Sequence, residues 1–178
     1  MLPLRDCQNP GMTERSAMTS KLARLAAAML IALCCSFAGA SAEDGMIWTQ
    51  KSNGDLTTLS YGPVDPGAPP LFMLSCFSAL DIAVLDVHRE VAGAKAGDKV
   101  SIELSSSKGQ ASVSGDVSTD DATGKTFGEA SEVKLQPVLD LLRAPGSISL
   151  KMGDASFSLS EQGRDLAVGE FSKNCDVK

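Results

Sequence analysis

"LFMLSCFSALDIAVLDVH", residues 71–88, decides the fold class of this chain. Successive side chains of a β-strand point to opposite faces, so an apolar residue at every second position marks a half-buried strand. Phe72, Leu74 and Cys76 fall on one face of such a strand, and Ile82 and Val84 on one face of a second. "SAL", residues 78–80, reads as the tight turn between them. The stretch ends on His88, the sole histidine.

The same period recurs on both sides. In "KVSIELSSSKGQASVSGDVS", residues 99–118, Val100, Ile102 and Leu104 alternate with Ser101, Glu103 and Ser105. The chain then turns through "SSKGQ" into Ala111, Val113 and Val117, an antiparallel hairpin with one wet face. "MIWTQKSNGDLTTLSYG", residues 46–62, places two short runs around Asn53-Gly54, a dipeptide suited to a type I′ turn because both residues accept positive φ. Trp48, Leu56, Leu59 and Tyr61 are its expected buried face. "PVDPGAPP", residues 63–70, is too rich in proline for a sheet and reads as a loop. A third hairpin alternates through Ile148, Leu150 and Met152, turns at Gly153-Asp154, and returns through Phe157 and Leu159.

Two segments change period. After a polar loop, "STDDATGKTFGEASE" (118–132), the run "VKLQPVLDLLRAPG" (133–146) reads as a short helix with Pro137 in its first turn and Val138, Leu141 and Leu142 on one side. "EQGRDLAVGEFSKNC" (161–175) reads as a second helix capped by Ser160, with Glu161 and Asp165 near its positive end. Val168, Phe171 and Cys175 share its apolar side. The expected fold is therefore mainly β: a two-sheet antiparallel β-sandwich with two short helices, the second at the C-terminus.

Residues 1–42 read as a signal peptide that is removed. Lys21 and Arg24 precede the apolar "LARLAAAMLIALCCSFA", and "ASA" (40–42) supplies small residues before Glu43. The uncharged run 25–42 is long enough to weigh as a membrane anchor, but it ends in the small residues "FAGASA". Leu33 before Cys34 argues against lipidation there or at Cys35. Met1, Met12 and Met18 are all possible starts, and Met18 gives a leader of ordinary length. The expected product is periplasmic or secreted, has no stable membrane insertion, and forms a single domain over 43–178. That domain carries 12 basic and 20 acidic residues, a net charge of −8. Such a surface offers nucleic acid no footprint and is repelled by anionic lipid.

Without the leader only Cys76 and Cys175 remain, and two cysteines in an exported chain read as a disulfide. There is no CxxC motif and no Cys/His cluster for zinc.

A short tryptophan strand, the cysteine-closed "LFMLSCFSALDIAV", the helix "PVLDLLRA" and the closing "FSLSEQGRDLAVGEFSKNC" occur in that order. The arrangement resembles exported accessory proteins of type VI secretion, the TagO or VasI family, and more distantly the invasion-associated locus B proteins. Ser75 stands where that family often has arginine, and Glu161-Gln162 precede Gly163, a departure from its pattern. The resemblance implies a non-enzymatic periplasmic β-sandwich that contacts other envelope components.

The remaining chemistry is sparse. His88 with Asp86 and Glu90 is the one arrangement that suits a general base for a serine nucleophile, and it makes a small envelope hydrolase the alternative function. With no GxSxG elbow and no second histidine, His88 reads instead as an exposed residue at a strand end. Asp81 and Asp86 read as opposite-facing carboxylates of one strand rather than a glycosidase pair. Asp116, Asp120 and Asp121 lack the spacing of a calcium loop. "GAKAGDK" (93–99) lacks the GK[ST] of a phosphate loop and reads as a turn. No catalytic residue, metal or cofactor is assigned. The expected function is an exported interaction module whose partner is an envelope or secreted protein, and a small-ligand site between the sheets is a further alternative.

Overall fold

The computed structural model describes residues 45–65 and 67–175. The expected leader, 1–42, lies outside the described residues. The strands are β1 (Met46–Asn53), β2 (Leu56–Pro63), β3 (Phe72–Phe77), β4 (Ile82–Val87), β5 (Lys99–Ser106), β6 (Gly109–Thr119), β7 (Thr126–Ala130), β8 (Ile148–Met152) and β9 (Ala155–Leu159). Two helices, α1 (Leu135–Leu142) and α2 (Arg164–Asn174), flank the last hairpin, so the chain is mainly β with the second helix at the C-terminus.

All nine strands join one antiparallel sheet in the order β1-β2-β3-β4-β7-β6-β5-β8-β9. A hydrogen-bonded break into two sheets is what the alternation alone led us to expect, and β7 is why it is missing. Residues 126–130 read as polar loop, yet they pair with β4 through Leu85–Ala130 and with β6 through Val117–Gly128. Two glycines let the backbones close up there. A Cβ on Gly115 would run into the carbonyl of Glu129, and one on Gly128 into the sulfur of Met152. Glycine in a strand commonly marks such close approach.

The sheet curls until its ends meet. Trp48 N–H donates to Gln162 O at 3.3 Å, just past β9, and its indole Nε1–H donates to Ser160 O at 2.7 Å. Ser160 N–H in turn donates to the Tyr61 hydroxyl at 3.2 Å. The curl sends one face of every strand into a single core. Leu59, Phe72, Leu74 and Leu85 from one half meet Ile102, Leu104, Leu150 and Leu159 from the other, with Leu142 of α1 and Phe171 of α2. All ten are inaccessible to water, and full burial of one such side chain contributes about 1.5–3 kcal/mol. The helices lie at the rim, α1 against β5 and β6, α2 against β1 and β2.

Several local expectations shift. The β1–β2 turn is Gly54-Asp55, with Asn53 and Leu56 as the closing pair. Leu56 thus falls opposite in parity to Leu59 and Tyr61 and leaves the core. In β4 the core face is Ala83, Leu85 and Val87, while Ile82 and Val84 are half-buried on the other side. "SAL" forms one 3₁₀ turn, Ser78–Leu80. Ser160 does not cap α2: the helix begins at Arg164, three residues past the expected cap's neighbour, and the Ser160 hydroxyl finds no partner among the described residues. The cap is Gly163, at φ +79°, with Trp48 O only 3.3 Å from where a Cβ would stand.

Cys76 and Cys175 are bonded, with Cα atoms 5.8 Å apart and a sequence separation of 99. Cys76 is fully buried on the core face of β3. Cys175 is the half-buried residue that ends α2. The bond therefore ties the end of the last helix to β3, two strands in from the β1 edge.

Candidate functional site

The other side of the sheet carries the chain's unassigned chemistry. Antiparallel pairing puts residues on adjacent strands directly opposite one another, so this outer side can be read in ranks. One rank is apolar: Leu56 of β2, Phe77 of β3 and Ile82 of β4. The next is Thr58, Ser75 and Val84. A third runs Met73, Asp86, Glu129, Asp116 and Lys99 across β3, β4, β7, β6 and β5. Leu80, on the 3₁₀ turn beside the apolar rank, is 65% exposed. That end is fastened by Ser78 N–H, which donates to Asp55 O at 3.0 Å.

The acidic rank is unevenly compensated. Lys99 Nζ lies 2.5 Å from Asp116 Oδ1, an exposed pair. Asp86 and Glu129 face each other with no cation paired to either among the described residues. Asp86 is buried, and its Oδ1 has no hydrogen-bond partner among the described residues. Burial first, and the neighbouring Glu129 charge second, push its carboxyl up to about 6.

His88 extends the same face. It is half-buried rather than exposed, its ring stacked on Phe127 of β7 with centroids 5.0 Å apart. Burial holds the imidazole below its usual range, partly offset by the Asp120 charge. Its backbone N–H donates to Leu71 O at 2.9 Å. No serine hydroxyl is hydrogen-bonded to its ring among the described residues. Glu90 is exposed, and Arg89 lies over the Phe157 ring at 5.5 Å.

The other carboxylates do not converge. Asp81 is not on a strand: it ends the 3₁₀ turn at φ +55° and is exposed. Five residues of extended chain hold it roughly 16 Å from Asp86. Asp120 Oδ1 accepts from Ala122 N–H, Thr123 N–H and the Thr123 hydroxyl at 3.0, 2.7 and 2.9 Å. Those bonds hold its carboxyl below the ordinary range and close the β6–β7 loop on itself. Among the described residues no three of His, Cys, Asp and Glu converge as a metal would require.

Two features escape a sequence reading altogether. Arg164 is 1% exposed. Its Nη2 donates to the carbonyls of Ala144 and Gly146 at 2.5 and 2.8 Å, and Glu161 Oε1 lies 3.7 Å away. Glu161 also accepts from Gly146 N–H, so the guanidinium binds the start of α2 to the α1–β8 loop. The second is a concavity of about 570 Å³ between α1 and the end of α2, lined by Lys134, Leu135, Pro137, Leu139, Arg143 and Cys175. It lies beside the helices, not between layers of strands.

Comparison with protein-family models, with curated proteins and with solved structures finds no match to this chain.

Proposed function

We propose that this chain is an exported, non-enzymatic interaction module of the bacterial envelope, periplasmic or secreted, serving as an accessory of a secretion or envelope system. The observation that carries the reading is the apolar rank Leu56–Phe77–Ile82 with Leu80 exposed beside it. Leu56, Phe77 and Ile82 are half-buried on this outer side, and an apolar patch with an exposed leucine at its edge and charge at its rim is how protein contact sites present themselves. Both helices are used elsewhere, on β1, β2, β5 and β6. The buried Cys76–Cys175 bond supports an oxidising compartment, in keeping with a leader over 1–42. The layout of strands, helix and two cysteines supports kinship with the TagO or VasI family. In this reading the curled sheet packs its two halves as the layers of a sandwich, and the outer side of β2–β4 is the working surface.

The test is crosslinking mass spectrometry on intact cells exporting the protein. We expect linked peptides from one envelope protein that map to β2, β3 and β4. A protein that remains monomeric and unlinked at every surface would contradict the proposal.

A further inference from the structure

The outer face also defines the chemistry of what docks there. We propose that it takes a segment of a partner protein in which apolar side chains are followed by a lysine or arginine. The apolar residues seat on Leu56, Phe77 and Ile82, and the cation meets Asp86 and Glu129. The proposal rests on the interaction-module reading and adds the partner's character to it.

Three observations support it. Asp86 and Glu129 sit directly opposite on neighbouring strands, a like-charge arrangement that destabilises a sheet. The one cation on this rank, Lys99, is already paired with Asp116. A buried carboxylate oxygen, Asp86 Oδ1, is left without a partner among the described residues. A cation docked on this rung would meet the half-buried Glu129 and offset the like charge beside Asp86.

The spacing is defined as well. Ile82 and Asp86 are four residues apart on β4 and on the same side, roughly 13 Å along the strand. An extended partner segment spans that in about four residues, and a helix in about nine. A second copy of this chain would set its own acidic rank against this one, and an anionic lipid surface would be repelled by the same charges. A basic, apolar protein segment is the occupant that satisfies both ranks.

The experiment places a photo-crosslinker in the full chain exported by its own host cell, as Phe77→benzoylphenylalanine or, on α2, Leu166→benzoylphenylalanine. Leu166 is 74% exposed on α2. The captured peptide is then sequenced. We expect capture from position 77, of a segment with Lys or Arg beside apolar residues. Adding Asp86→Asn and Glu129→Gln should lower the yield by roughly tenfold, the effect of losing two charge contacts. Asparagine suits the buried Asp86 site, so the fold should survive. Unchanged yield in that variant, or a captured segment lacking basic residues, overturns the partner chemistry while leaving the module reading intact. Capture from position 166 alone shows that the face is wrong. No capture from either position overturns both proposals.

Discussion

Asp86 of β4 and Glu129 of β7 face each other across one rung of the ladder that joins the two halves of the sheet. Because burial outweighs the Glu129 charge in raising the Asp86 carboxyl, Glu129→Gln should lower its titration midpoint from about 6 without returning it to 3.8. Carboxyl carbon NMR across a pH series reads this directly. A midpoint unmoved by the substitution would show that the two side chains do not interact.

A raised carboxyl binds its proton more tightly in the folded than in the unfolded chain, so stability falls as pH rises from 3.8 towards 6 and the deficit persists above. Asp86→Asn removes that deficit. The variant should be more stable than wild type by about 1 kcal/mol at about pH 7.5, well below full conversion of the shift because the effective dielectric is high even around buried charges. The gain should vanish at about pH 4. His88 has the opposite sign, since its depressed midpoint removes stability as pH falls, but it is common to both proteins. Urea titrations at the two pH values decide the matter, and a gain that ignores pH would exclude titration of Asp86 as its source.

The disulfide should dominate the stability of this domain. Closing a loop of about 100 residues contributes roughly 4–5 kcal/mol as an upper figure, comparable to the whole net stability of many domains. Cys76→Ala with Cys175→Ala, in a chain beginning at Glu43, should melt far below wild type. The unreduced wild type should expose no titratable thiol when denatured. Two thiols, or a loss under about 1 kcal/mol, would mean the bond does not form or does not matter.

Two glycines give opposite outcomes with the same substitution. Gly115→Ala forces a methyl into the Glu129 carbonyl and should cost about 1–3 kcal/mol, loosening β7 from β6. Gly169→Ala, on α2 with nothing within 4 Å, should gain up to about 1 kcal/mol from helix propensity. Thermal melts of both variants check the β6–β7 contact. Equal effects would place β7 elsewhere.

Period-2 alternation made most of the fold legible. Val100, Ile102 and Leu104, or Ile148, Leu150 and Met152, each have one wet face, so parity alone assigns their core side. It fails in "IAVLDV", where apolar residues stand on both faces because Ile82 and Val84 are half-buried outside the core. It also fails for "TFGEA", residues 126–130. That strand owes its conformation to a ladder on each side, and its glycine to neighbouring atoms no local window contains. Arg164 was invisible because it stands on the buried side of α2 with Ala167, Val168 and Phe171, and a charged residue at such a position reads as exposed. Asp86 and His88 stood out as residues, but their pairing with Glu129 and Phe127 depends on the β4–β7 register.

The most direct test of the outer face as working surface compares Phe77→Glu with Leu166→Glu for the amount of protein crosslinked to the chain in its host cell. Both sites are at least partly exposed, so both variants should fold and melt close to wild type. We expect Phe77→Glu to abolish capture, because it places a charge in the middle of the apolar rank, and Leu166→Glu to leave capture unchanged. Normal capture by a folded Phe77→Glu protein would contradict the account.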